Sequence, residues 1–97
     1  MLFAKRYSKV LAVCDKDIIG KRFKEGDLTL NLIEHASFYG QFVDDKLIIQ
    51  WLEEAFRQKH SMNIVGKNSV ALTLKTLKIN RKPVLIEGVP ILQVYFV

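Results

Sequence analysis

Between Val43 and Lys59 the chain reads VDDKLIIQWLEEAFRQK, and Leu47, Ile48, Trp51, Leu52, Ala55 and Phe56 recur at intervals of three and four. That spacing puts them on one face of an α-helix. Asp44 or Asp45 offers a side-chain acceptor to the first free amides and a negative charge at the positive end of the helix dipole. Arg57, Lys59 and His60 place positive charge at the other end. Gln50, Glu53, Glu54 and Gln58 fill the solvent side. Such a helix forms a main face of a core, and the rest of the chain must supply the surface it covers.

That surface reads as sheet. Leu2 to Cys14, LFAKRYSKVLAVC, gives two short strands with a turn at Ser8-Lys9. Asp15-Lys16-Asp17 offers a cap for a short helix carrying Ile18, Ile19 and Phe23, closed by Gly26. From Asp27, DLTLNLIE alternates, with Leu28, Leu30 and Leu32 on one face, and is the clearest strand in the chain. His35 to Phe42 has no period and reads as an aromatic-rich loop. Ser61-Met62-Asn63 and Gly66 predict a bend or break after the main helix. A second helix follows, with Val70, Ala71, Leu74 and Leu77 inward. Val84–Ile86 and Ile91–Val97 are two further strands around a kink or turn at Gly88-Val89-Pro90, with Pro90 at a strand start or edge. The order predicts an α+β fold: one compact two-layer sandwich over residues 1–97, with a mostly antiparallel sheet and the helices packed on one side.

Composition bounds the function. The chain is 49% hydrophobic and 26% charged, which suits a folded domain rather than a disordered one. No apolar run approaches the length of a membrane span, and the amino terminus has no secretory pattern, so a cytoplasmic protein with no membrane role is expected. Cys14 is the sole cysteine, which excludes an internal disulfide. Fifteen Lys and Arg against ten Asp and Glu leave a net charge of +5, a balance that favours polyanions and also serves solubility.

Four stretches together resemble a family of small archaeal proteins known as DUF424: CDKDIIGKRFKEGDLTLNL (Cys14–Leu32), SFYG (Ser37–Gly40), NIVGKNSVALTL (Asn63–Leu74) and EGVP (Glu87–Pro90). The resemblance spans nearly the whole chain and implies an archaeal, cytoplasmic, two-layer α+β domain with no established activity. Asp15, Gly20, Gly40, Asn63, Gly66, Gly88 and Pro90 are the motif residues it singles out, without a role. Many members follow the final proline with His-Ala-Gln. Here Ile91-Leu92-Gln93 stands instead, so a histidine role at that place has no counterpart in this chain.

No catalytic pattern emerges. Cys14 ends an apolar run and reads as a core thiol; His35 and His60 read as solvent-facing or capping groups. No metal-ligand spacing is present, and no metal or cofactor is expected. Asp15, Asp17, Asp44 and Asp45 fall in capping positions. Gly20-Lys21-Arg22 lacks the remaining residues of a nucleotide-binding loop, although the start of the short helix at residues 15–26 is a conceivable phosphate site. Asn63 and Gly66 read as backbone-capping groups at the helix break.

The basic residues carry the functional expectation. If Lys16, Lys21, Arg22 and Lys24 share a side with Lys78, Arg81 and Lys82, they form a patch able to grip phosphates. Phe38 and Tyr39 are candidates for stacking on RNA bases, against a simpler place at the core edge. The leading expectation is a non-catalytic RNA- or ribosome-associated accessory protein of the archaeal translation machinery. The alternative is a protein-interaction module, or a homodimer pairing through the C-terminal strand ILQVYFV. An enzyme with a site near Asn63, Gly66 and the Asp15–Gly26 segment ranks last.

Overall fold

The computed structural model describes residues 1–96. Its strands are β1 (Leu2–Arg6), β2 (Val10–Asp15), β3 (Arg22–Glu25), β4 (Leu28–Asn31), β5 (Gln41–Val43), β6 (Ser61–Val65), β7 (Val84–Ile86) and β8 (Val89–Val94). The helices are α1 (Asp45–Arg57) and α2 (Lys67–Leu77). A six-stranded sheet runs in the order β5-β1-β2-β6-β8-β7, while β3 and β4 form a separate hairpin. Among the described residues only β2 and β6 pair in parallel; the other pairings are antiparallel.

Both helices lie on one side of the sheet, as expected of the α+β reading. Ile48, Leu52 and Ala55 of α1 and Val70 of α2 meet Leu2, Leu11, Val13, Met62, Ile64, Leu92 and Val94 in one core cluster. Residues of opposite parity in the central strands (Ala12, Cys14 and Val65) point the other way and are covered by Phe23 and Leu30 of the hairpin with Leu32 and Tyr39. The unbroken apolar run of β2 follows from that double burial: a strand covered on both faces has no polar side to alternate with.

Several local expectations are corrected. Ser61 to Val65 is no helix break but a central strand. The main helix stops before it, at a left-handed Lys59 (φ 59°), with the His60 amide donating to the Ala55 carbonyl at 2.8 Å. Lys16–Ile18 is a single 3-10 turn rather than a helix ending at Gly26. In Arg22–Glu25 only Phe23 turns inward, and Gly26 (φ 61°) belongs to the two-residue turn between β3 and β4. The helix whose start was expected to offer a phosphate site within residues 15–26 is therefore reduced to that single 3-10 turn. The alternating strand from Asp27 is the second strand of this hairpin; Leu32 is buried, but Leu28 is half exposed. His35 to Phe42 contains a 3-10 turn, Ala36–Tyr39, and then β5. On α2 the buried positions are Ser69, Val70 and Thr73, and Ala71 faces solvent.

The C-terminal strand is not a free edge. β8 lies between β6 and β7, with Val84, Leu85 and Ile86 opposite Ile91, Pro90 and Val89. A homodimer pairing along the whole of ILQVYFV is thus blocked over its first part. The outer edge on that side is β7, whose Val84 and Leu85 are exposed. β8 continues past β7, though, so among the described residues Leu92–Val94 has only β6 beside it. Val97 lies outside the described residues.

Candidate nucleic-acid interface

Gly66 is the N-cap residue of α2 and has no side chain with which to cap it. The acceptor comes instead from Asp15, at the end of the parallel neighbour β2. Its two carboxylate oxygens accept from the Asn68 amide (3.0 Å), Asn68 Nδ2 (3.1 Å), the Ser69 amide (2.8 Å) and Ser69 Oγ (2.6 Å). Asp15 is buried, and these charge-assisted bonds together with the positive end of α2 replace the water it has lost. A β-carbon on Gly66 would collide with the Asp15 carboxylate, 2.6 Å from its Oδ1, and φ is 108° there, so only glycine leaves room for the clasp. The Gly66 amide donates in turn to the Pro90 carbonyl at 2.9 Å. Glu87 and Gly88 (φ 49° and 79°) make the tight β7–β8 turn that brings Pro90 there.

Four motif residues therefore converge. Asp15, Gly66, Gly88 and Pro90 share the wall of a cleft of about 340 Å3, into which Lys21 and Lys67 also project. The other three hold the hairpin side together. Gly20 donates its amide to the Leu32 carbonyl at 2.9 Å and closes the base of the hairpin. Gly40 passes so close to β1 that a β-carbon would meet the Ala4 carbonyl oxygen at 2.6 Å. Asn63 projects from β6 and accepts from the Tyr39 hydroxyl at 3.0 Å.

That bond decides the aromatic candidates. Tyr39 is buried beneath the hairpin, its hydroxyl spent on Asn63, and burial beside Cys14 holds its pKa above the ordinary phenol value. Phe38 stacks on Tyr7 at 5.1 Å between ring centroids and meets Tyr39 edge-on at 5.2 Å. Tyr39 is not a base-stacking surface, and one ring face of Phe38 is taken by Tyr7. Cys14 is fully buried; desolvation first, then the charges of Asp15 and Asp17, push its thiol up to about 12, so it remains neutral.

The basic residues divide. Lys16 and Lys78 are exposed but line neither hollow described here, and Lys21 belongs to the Asp15 cleft. Arg22 and Lys24 are exposed on β3, while Phe23 between them packs inward. Arg81 and Lys82, on the connection into β7, line an open groove of about 610 Å3 whose opposite wall includes Leu28 of β4. The hairpin is latched to the β7–β8 turn: the Lys24 amide donates to Glu87 Oε2 (2.7 Å), and the Glu87 amide donates to Glu25 Oε1 (2.8 Å). The segments 22–24 and 81–82 thus flank the same edge strand. Sequence reasoning missed Tyr95, which lines this groove and is 62% exposed, and Gln93 beside it. The signal was the alternation Ile91, Gln93, Tyr95, which puts all three on the hairpin side of the sheet.

Among the described residues no group of three or more His, Cys, Asp or Glu side chains is placed to hold a metal, and no helix is long and apolar enough to cross a membrane. No curated protein matches the chain. The fold is similar to the crystal structure of an uncharacterized conserved protein from the archaeon Methanopyrus kandleri, with a TM-score of 0.76 and 21% sequence identity, over 97% of this chain and 90% of that one. Residues 3–97 match the family described as a protein of unknown function, DUF424, and the chain belongs to it.

Proposed function

We propose that this DUF424 protein is a non-catalytic RNA- or ribosome-associated accessory protein of the archaeal translation machinery, cytoplasmic, holding phosphates along the β7 edge. The observation that carries the reading is the open groove lined by Arg81 and Lys82, with the exposed cations Arg22 and Lys24 on the hairpin latched to the β7–β8 turn. Arg presents a fork that matches phosphate oxygens, and Lys adds a compact charge on a flexible stem. Each phosphate they neutralise releases counterions, so binding weakens steeply with salt. Contacts of this kind fix register on a nucleic acid backbone without reading its bases. The net charge of +5 adds a long-range attraction to the same polyanion.

Co-sedimentation of the tagged protein with ribosomal subunits, at low and moderate salt, tests it. Retention on one subunit at low salt is expected, reduced about tenfold or more at moderate salt and abolished by joint charge reversal of Arg22, Lys24, Arg81 and Lys82. A protein that stays at the top of the gradient in both salts overturns the reading.

A further inference from the structure

Two hollows on the hairpin side of the sheet share a wall. Leu28 of β4 lines the groove of about 610 Å3 with Arg81, Lys82 and Tyr95. Thr29 to Asn31 of the same strand line a second hollow of about 270 Å3, whose floor includes Asn63. The floors adjoin, because Asn63 of β6 stands opposite Gln93 of β8 in the register. The next residue of that row, Ala12 on β2, is fully buried, so the open floor ends at Asn63.

This floor differs in kind from the covered part of the sheet. Leu92 and Val94 point to the helices, whereas Gln93 and Tyr95 point into the groove. Asn63 spends its side-chain oxygen on Tyr39, which leaves the carboxamide nitrogen for a ligand. The backbone of Gln93 is also open. The Pro90 carbonyl faces β6, where it accepts from Gly66, so Leu92 and Val94 face β6 too and Ile91 and Gln93 face the other way. β7 begins at Val84, opposite Ile91, and among the described residues leaves the Gln93 amide and carbonyl with no strand beside them.

We infer that this track along β4 takes single-stranded RNA, with one base stacked on Tyr95, base edges met by Gln93 and Asn63, and the backbone held by Arg81 and Lys82. The inference rests on the RNA reading above and names the form of RNA. Exposed aromatic rings flanked by cations bind unpaired nucleotides, because every base has a stacking face and a free hydrogen-bonding edge once the strand is open. A duplex hides both, and a hollow of this size admits single nucleotides but not a helix of paired strands. The cations supply the charge complementarity that an apolar partner strand would not use.

The test is fluorescence anisotropy with a labelled unstructured oligouridine and an RNA duplex of matched length, at two salt concentrations. The single strand is expected to bind at least about tenfold tighter. Tyr95→Ala should weaken it about tenfold or more, while Tyr95→Phe retains most of the affinity; both substitutions are at an exposed position and leave the core intact. Equal binding of duplex and single strand, with Tyr95→Ala silent but charge reversal at Arg81 and Lys82 abolishing both, overturns the single-strand inference and leaves the RNA reading standing. Binding of neither RNA overturns both. An acidic extended peptide that binds with Tyr95 dependence where RNA does not would assign the track to a protein.

Discussion

Asp15 shows what one side chain does in this fold. It joins the end of β2 to the start of α2 by four hydrogen bonds and occupies the space that a β-carbon at residue 66 would need. Asp15→Ala leaves the Ser69 hydroxyl and two helix-terminal amides without their acceptor, at a cost of about 2–4 kcal/mol. Gly66→Ala meets both the clash and an unfavourable φ, and should cost about as much. The two losses should not add. With Asp15 truncated the new methyl has room, so the double variant should fall at least about 0.5 kcal/mol short of the sum. Urea denaturation of the four proteins measures this; strict additivity would show that the glycine answers to backbone conformation alone. The sequence revealed Asp15 as a capping residue but not its client. A cap is recognised from its neighbours, and the helix amide it serves here, that of Asn68, lies 53 residues away.

At the scale of elements, legibility followed periodicity. α1 was read to within two residues at each end because its apolar stripe runs over the whole helix. β6 was hidden because five residues, two of them Ser and Asn, carry too little pattern to outweigh polar side chains that usually mark breaks. Asn63 tolerates its central place only because Tyr39 reaches it, a partner that no local rule supplies. The basic groove was half legible for the same reason. Arg81 and Lys82 stand out in the sequence, whereas Tyr95 joins them only once β8 is registered against β6 and β7. The β3–β4 hairpin makes the clearest element-scale prediction. It is fixed to the β7–β8 turn through Glu87, a residue itself at positive φ. Glu87→Asn suits the turn better, because Asn-Gly is favoured there, yet it removes the long carboxylate that reaches Lys24. Thermal stability should hold within about 1 kcal/mol, while amide exchange in residues 22–31 accelerates. Unchanged exchange across that hairpin would show that the latch carries no weight.

The whole molecule is a sheet with two unequal coverings. The helix side is closed by long amphipathic elements, and the other is closed only in part, by a small hairpin and a 3-10 turn. All four stretches that carry the family resemblance contribute to this second side or to the end of the sheet beside it, whereas α1 contributes to none of them.

The parallel pairing of β2 with β6 has a further consequence, in time rather than space. Parallel strands require a long crossover, and here the hairpin, β5 and α1 all intervene before β6 can find β2. The clasp from Asp15 to Asn68 and Ser69 closes only after that pairing is in register, which makes it a late event along the folding route. Removing it should leave the refolding arm of a chevron almost unmoved and steepen the loss on the unfolding side, with φ-values near zero at Asp15. A slowed refolding arm would place the clasp in the nucleus instead. With a late clasp, a single carboxylate governs how long the finished protein lasts and has little to do with how fast it is made.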